Sequence, residues 1–335
     1  MMKIKIWDHA RFVLDKANPY PEYKSMFRLL ADNGVSHIHA YLPEIGDLKA
    51  YCQAAGEAGI SVDAWINPAK ELPNPPLRMI TEEQMEEMYR TQGIRLKGPC
   101  PNHPEYKRQM LEVIGNRLAE YGDLLNGIHL DFIRSINSML AEMFPCGCEA
   151  CRALRMKYFG FEMPSDNDRK MHSYIYKEHA ILNRNITETV AAIHKLTQQF
   201  GKQLSMAARS DYANSADIWV KPVWGIGPAV LEGQDWADWG ADGLVDAINT
   251  MNYHTDFGYF MDNLNAHLRL MKGAKAVLSP GVAVQSSMGT NEPDAFEMRM
   301  RAIHDSGAKS LCIFCKPDTY SPEYLRIIRK YSEMD

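Results

Sequence analysis

Ala58-Gly59-Ile60 closes one element of this chain and opens the next. Upstream, residues 47–58 carry apolar side chains at helical spacing; downstream, residues 61–66 form a short, almost continuously apolar run. A glycine at that joint supplies the left-handed residue that commonly follows a helix's last turn. The same signal stands at Asn33-Gly34-Val35 and at Ser306-Gly307-Ala308. Outward from these joints, β-type runs recur at residues 3–7, 37–42, 61–66, 127–133, 203–208, 245–251, 276–283 and 310–315. Most lack alternation, as expected of parallel strands covered on both faces. Amphipathic helices are expected at 22–33, 47–58, 104–121, 171–200, 257–271, 294–306 and 322–334. Eight such alternations predict an α/β fold, a (β/α)8 TIM barrel. A doubly wound open sheet needs no eighth strand and usually places a glycine-rich phosphate turn after its first; here that strand ends Trp7-Asp8-His9.

Composition narrows the function. The 335 residues are expected to form one barrel domain over 1–335. Lys+Arg 37 against Asp+Glu 42 gives −5, with no basic block, so no nucleic-acid partner is expected. A hydrophobic share of 46% with 24% charge excludes a disordered chain. No apolar run approaches the roughly 20 residues that span a bilayer. The opening Met1-Met2-Lys3-Ile4-Lys5-Ile6-Trp7-Asp8 reads as a strand, not a signal peptide, and a cytoplasmic location is expected. A homo-oligomer is compatible with all of this.

Length beyond a minimal barrel of roughly 250 residues falls after the third, fourth and fifth strands, in residues 67–103, 134–170 and 209–239. All three loops leave strand C-termini, the face on which barrel enzymes build their sites.

Two motifs carry chemistry. Cys146-Gly147-Cys148-Glu149-Ala150-Cys151 gathers three of the seven cysteines, and Cys100 lies upstream in the neighbouring loop. Three thiolates so spaced, with a fourth from the next loop, suit a tetrahedral zinc ion that would clip the loops together. Four thiolates leave no open position, so such a zinc is structural. Cys312 and Cys315 lie in a strand, three apart and on opposite faces, which argues against a shared role. The second motif is Gly127-Ile128-His129-Leu130-Asp131-Phe132-Ile133-Arg134. Here an aspartate closes an apolar strand at the barrel mouth, where its environment tunes it for nucleophilic or acid/base work. Arg134 can pair with it, and His129, on the same side and deeper, reads as a hydrogen-bonded barrel histidine.

Glycoside hydrolysis usually takes two carboxylates. Candidate partners for Asp131 are Asp211 after the fifth strand, Asp256 after the sixth and Glu232 in the long loop, with Asp8 and Glu44 at other strand ends and Asp63 mid-strand. Trp219, Trp224, Trp236 and Trp239 crowd one stretch. Trp224, among prolines and glycines, suits stacking on a sugar face, whereas Trp236 and Trp239 at i,i+3 suit the core.

Trp65-Ile66-Asn67-Pro68, Cys100-Pro101-Asn102-His103-Pro104-Glu105-Tyr106, the 127–134 strand, Gln234-Asp235-Trp236 and Met251-Asn252-Tyr253 together resemble the glycoside-hydrolase-like barrels of the "glycosyl hydrolase-like 10" type. The resemblance covers roughly residues 1–320. It implies a barrel acting on carbohydrate, with Asp8, Trp65, Asn67, Arg134, Trp224, Asn252 and Tyr253 around the substrate. The cysteine spacing separately resembles the zinc site of family 42 β-galactosidases. This chain departs from that family, whose catalytic glutamates follow strands 4 and 7: here strand 4 ends in Asp131 and Leu278-Ser279-Pro280-Gly281-Val282 has no carboxylate. The expectation is a glycosidase using Asp131 and a second carboxylate. The rivals are a metal-dependent sugar isomerase or epimerase, built on His129, Asp131, His254, Asp256 and Asp318, and a carbohydrate-binding barrel without catalysis.

Overall fold

The computed structural model describes residues 2–8, 19–41, 47–92, 98–135, 145–211, 232–314 and 321–334. Eight parallel strands close a barrel: β1 (Lys3–Asp8), β2 (Val35–Tyr41), β3 (Ser61–Ile66), β4 (Gly127–Leu130), β5 (Gln203–Arg209), β6 (Ala247–Met251), β7 (Val277–Ala283) and β10 (Ser310–Phe314), which returns to β1. A small antiparallel hairpin, β8 (Gln285–Ser286) and β9 (Gly289–Thr290), lies between the last two. The closing pair, Ile4 with Leu311 through Trp7 with Phe314, excludes an open doubly wound sheet.

The expected helices are present as α1 (Tyr20–Asp32), α2 (Leu48–Glu57), α5 (Pro104–Tyr121), α7 (His172–Gln199), α9 (Phe257–Leu270), α10 (Pro293–Asp305) and α11 (Pro322–Glu333). Four more, α3 (Pro68–Glu71), α4 (Glu82–Gln92), α6 (Glu149–Phe159) and α8 (Trp236–Asp242), occupy the long insertions after β3, β4 and β5. Local chemistry sets their ends. Pro104 starts α5 with the His103 side chain accepting from the Glu105 amide at 3.2 Å, which gives the Pro-x-His-Pro-Glu-Tyr segment its physical meaning. Gly34 ends the first helix–strand joint at φ +83°, where an added Cβ would lie 1.9 Å from Ser332 Oγ.

Strand alternation divides the side chains. One set packs outward against the helices, among them Ile4, Ile6, Ile38, Val62, Ile128, Leu204 and Ile248. The other fills the barrel, with Trp7, Tyr41, Trp65, Ala207 and Cys312 packed against Met251, Tyr253 and Phe314. Below that aromatic layer the interior is polar: His39, Asp63, His129, Ser205 and Asn249 are buried there. Trp236 and Trp239 are fully buried in the outer core, as their spacing predicted. No helix among the described residues is long and apolar enough to cross a membrane.

Candidate active site

Asp131 follows β4 directly and is buried at the strand's C-terminal end. Its carboxylate is held from two sides. The Trp65 indole, on the adjacent strand, donates to Oδ2 at 3.2 Å, and the Phe132 amide donates to Oδ1 at 2.7 Å. Phe132 sits at φ +51°, an uncommon conformation for a bulky residue. Strained backbone of this kind gathers at functional sites. The same turn brings the Arg134 guanidinium over the Phe132 ring, 4.3 Å from its centroid.

Arg134 stands between two carboxylates. Its Nη1 lies 3.8 Å from Asp131 Oδ1, while its Nε is 3.1 Å from Glu232 Oε2. Burial and the neighbouring Arg209 press the guanidinium below its ordinary value, against Glu232 and Asp131, which raise it. Arg209, at the end of β5, grips Glu232 from the other side with Nε at 2.8 Å and Nη2 at 2.6 Å. Gln234 pins this segment to β5, accepting from the Arg209 amide at 2.8 Å and donating to the Ala207 carbonyl at 3.2 Å. The carboxylate of Glu232 is thus buried between two guanidiniums.

The remaining expected site residues are placed as follows. Tyr253 edges the same aromatic layer, 6.1 Å from Trp7 and 5.0 Å from Phe314, and burial holds its phenol well above the usual range. Asn252 donates to the Phe260 carbonyl at 2.9 Å, and Asn67 caps α3 by accepting from the Ala69 amide. Asp256 is exposed and caps α9, accepting from the Tyr259 amide at 2.9 Å, so its carboxylate is engaged in the helix terminus. Asp8 differs from expectation. As an even-numbered residue of β1 it points out of the barrel, where it accepts from Tyr51 of α2 at 2.5 Å. Asp211 is half-buried after β5, electrostatically near His254 and His267. Trp219, Trp224, Glu44, Cys315 and Asp318 lie outside the described residues.

Sequence reading gave no site role to Arg209 or Gln234, the two groups that orient Glu232. The signal available was the Gln-Asp-Trp segment two residues after Glu232. His129 is a hydrogen-bonded barrel histidine as expected, accepting from Trp7 Nε1 at 2.7 Å with its Nδ1 2.9 Å from Ser205 Oγ. Burial holds it far below the ordinary histidine value, so it is neutral.

Cys100, Cys146, Cys148 and Cys151 come together as buried free thiols. Cys100 Sγ lies 3.5, 3.9 and 3.8 Å from the sulfurs of Cys151, Cys146 and Cys148. Zinc–sulfur bonds of about 2.3 Å at tetrahedral angles require sulfur–sulfur edges of about 3.8 Å, so the residues fit such an ion. The Met79 amide donates to Cys146 and the Asn102 side chain to Cys151, as expected around thiolate ligands. Buried Arg155 braces the loop through the Cys146 carbonyl at 2.8 Å and Glu178 at 2.9 Å. Ser135, next to Arg134, lines a small cavity with Cys100, Cys146 and Cys151, and its amide donates to the Glu232 carbonyl at 2.8 Å.

No protein-family model matches the chain, and no curated protein matches it in sequence. Solved structures do. The chain is similar to the glycoside hydrolase domain of PgaB (BpsB) from Bordetella bronchiseptica, with TM-score 0.69 and 12% identity over 100% of this chain and 99% of that one. It is also similar to the catalytic domain of beta-amylase from Paenibacillus polymyxa, with TM-score 0.60 and 12% identity over 98% and 97%. A class V chitinase from Pseudomonas fluorescens Pf-5 aligns at TM-score 0.57 and 8% identity over 99% of both chains. At these identities the likeness is one of fold, a TIM barrel.

Proposed function

We propose that this protein is a glycosidase of the glycoside-hydrolase-like barrel type, acting on an oligosaccharide or glycoside. Asp131 is the acting carboxylate, as nucleophile or general acid, and Glu232 is its partner. One observation carries this reading: Arg134 bridges Asp131 and Glu232 at the C-terminal face of the barrel, with Trp65 and the Phe132 amide orienting the first carboxylate. Two carboxylates held in unlike environments are what divides acid from base or nucleophile. Here Asp131 takes the Trp65 indole and the Phe132 amide, with Arg134 at 3.8 Å, while Glu232 is gripped at 2.6–3.1 Å by two guanidiniums. Tyr253 and Trp65 supply ring faces for sugar C–H groups, with Trp224 as a further stacking residue. Asp211 remains an alternative partner at the end of the adjacent strand.

Supporting the reading, the named solved structures of the same fold include a glycoside hydrolase domain, a beta-amylase and a chitinase. In the same proposal residues 1–335 form a single barrel domain, Zn2+ is bound by the four cysteines as a structural ion, and the location is cytoplasmic, in keeping with free thiols. Zinc bound there would tie the loop after β3 to that after β4. The test is hydrolysis of a panel of nitrophenyl glycosides and oligosaccharides by the wild type and Asp131→Asn. Turnover by the wild type alone supports the proposal. Equal sugar binding by both proteins without turnover by either favours the non-catalytic barrel.

A further inference from the structure

Beneath the aromatic layer, a second group of side chains converges that the proposed hydrolysis does not use. His37 and His39 share the inward face of β2, two residues apart, and His39 stands in register with Asp63 of β3. His37 Nε2 lies 3.0 Å and His39 Nδ1 3.3 Å from the same atom, Asp63 Oδ2. His39 is completely buried, yet neither of its ring nitrogens has a hydrogen-bond partner. Two imidazole nitrogens this close to one carboxylate oxygen are spaced to share an ion as well as a proton. Metal–nitrogen and metal–oxygen bonds of about 2.1 Å give nitrogen–oxygen edges of about 3.0 Å at right angles and about 3.4 Å at tetrahedral ones. The observed pair of distances falls in that interval.

The surroundings are those of a prepared ligand set. Asp63 accepts from Asn126 Nδ2 at 2.9 Å on one oxygen and from Ser205 Oγ at 3.0 Å on the other. The His39 ring stacks on His129 at 3.8 Å and 19°, which fixes its plane. Metal-binding carboxylates and imidazoles are ordinarily oriented by such outer contacts. His37, with 14% of its side chain exposed, leaves a path in from the N-terminal end of the barrel.

We propose that His37, His39 and Asp63 form a metal site inside the barrel for a divalent first-row transition cation, separate from the four-cysteine site. Two imidazoles and a carboxylate suit zinc, iron(II) or cobalt(II) and leave coordination positions for water. Lys5, in register with His37, shares this interior.

The experiment is cobalt(II) titration of the full chain after metal removal, with absorption spectra and elemental analysis. The wild type should bind two cobalt ions, one with the intense sulfur charge-transfer bands of the cysteine site and one without them. Cys148→Ser should lose the first spectrum and keep the second. His37→Gln should do the reverse, weakening the second ion by more than the roughly 10–100-fold that loss of an outer-shell contact costs. Because His37 reaches the surface, this variant spares the fully buried His39. X-ray absorption on cobalt-loaded Cys148→Ser protein gives a second readout: the remaining ion must show nitrogen and oxygen neighbours only. A single sulfur-ligated ion, or a second ion unaffected by His37→Gln, would overturn the site and leave a buried ion pair.

Discussion

The Trp65 indole N–H reaches Asp131 Oδ2 at 3.2 Å across the β3–β4 boundary. Each residue lies at or just beyond the C-terminal end of its strand on the inward side, so the contact ties the two strands at the barrel mouth and turns the carboxylate toward it. If Asp131 performs the chemistry, Asp131→Asn should retain the fold and lose about 100–10,000-fold in kcat, since an amide neither ionises nor carries the proton. Steady-state kinetics with a melting curve checks it. Turnover near wild type would remove Asp131 from the mechanism.

Glu232 between Arg134 and Arg209 makes a stability prediction as well. Arg209→Met leaves a buried carboxylate short of its bidentate partner and should cost about 3–5 kcal/mol in urea unfolding. Glu232→Gln keeps the shape but leaves two buried guanidiniums without their carboxylate, so it should cost at least as much, and its loss of activity should be larger. A pair of variants with matched stability and full activity would show that Glu232 only braces the loop.

The four cysteines should hold one sulfur-ligated zinc per chain. Cys148→Ser should lower the melting temperature and release that zinc. Activity should fall only as far as Ser135 and the Glu232 segment lose their order, since four thiolates leave the ion no open position. Elemental analysis with thiol titration reads both. Protein free of zinc, with four reactive thiols and unchanged melting, would refute the site.

His267 predicts an acid-side loss of stability. It is fully buried, its Nε2 donates to the Ser210 carbonyl at 2.5 Å, and burial lowers its pKa to about 4. The folded state therefore holds it neutral while the unfolded chain protonates it near pH 6.5. Its contribution is intact above pH 6.5, declines as pH falls to about 4 and is constant below. At pH 5 the loss is about 2 kcal/mol relative to pH 7. Urea unfolding of wild type and His267→Gln at the two pH values should show a smaller decline in the variant.

Much of the barrel was legible because its signals are local. Glycines after helices at 34, 59 and 307, unbroken apolar strands and Asp131 at a strand end need only neighbouring residues to be read. The clustering of Cys100 with Cys146, Cys148 and Cys151 was also visible, since consecutive strands of a barrel bring consecutive loops together.

What tertiary structure alone decided is where each carboxylate turned. Asp8 follows the alternation of β1 outward to Tyr51, and Asp256 spends its oxygen on the start of α9. Glu232 enters the site only because Arg209 and Gln234, on and beside β5, hold its segment there. The joining of His39, Asp63 and His129 in one interior layer depends on strand register across β2, β3 and β4. A one-residue slip would send those side chains to the other face, and the pairing that prevents it is made between residues far apart in the chain.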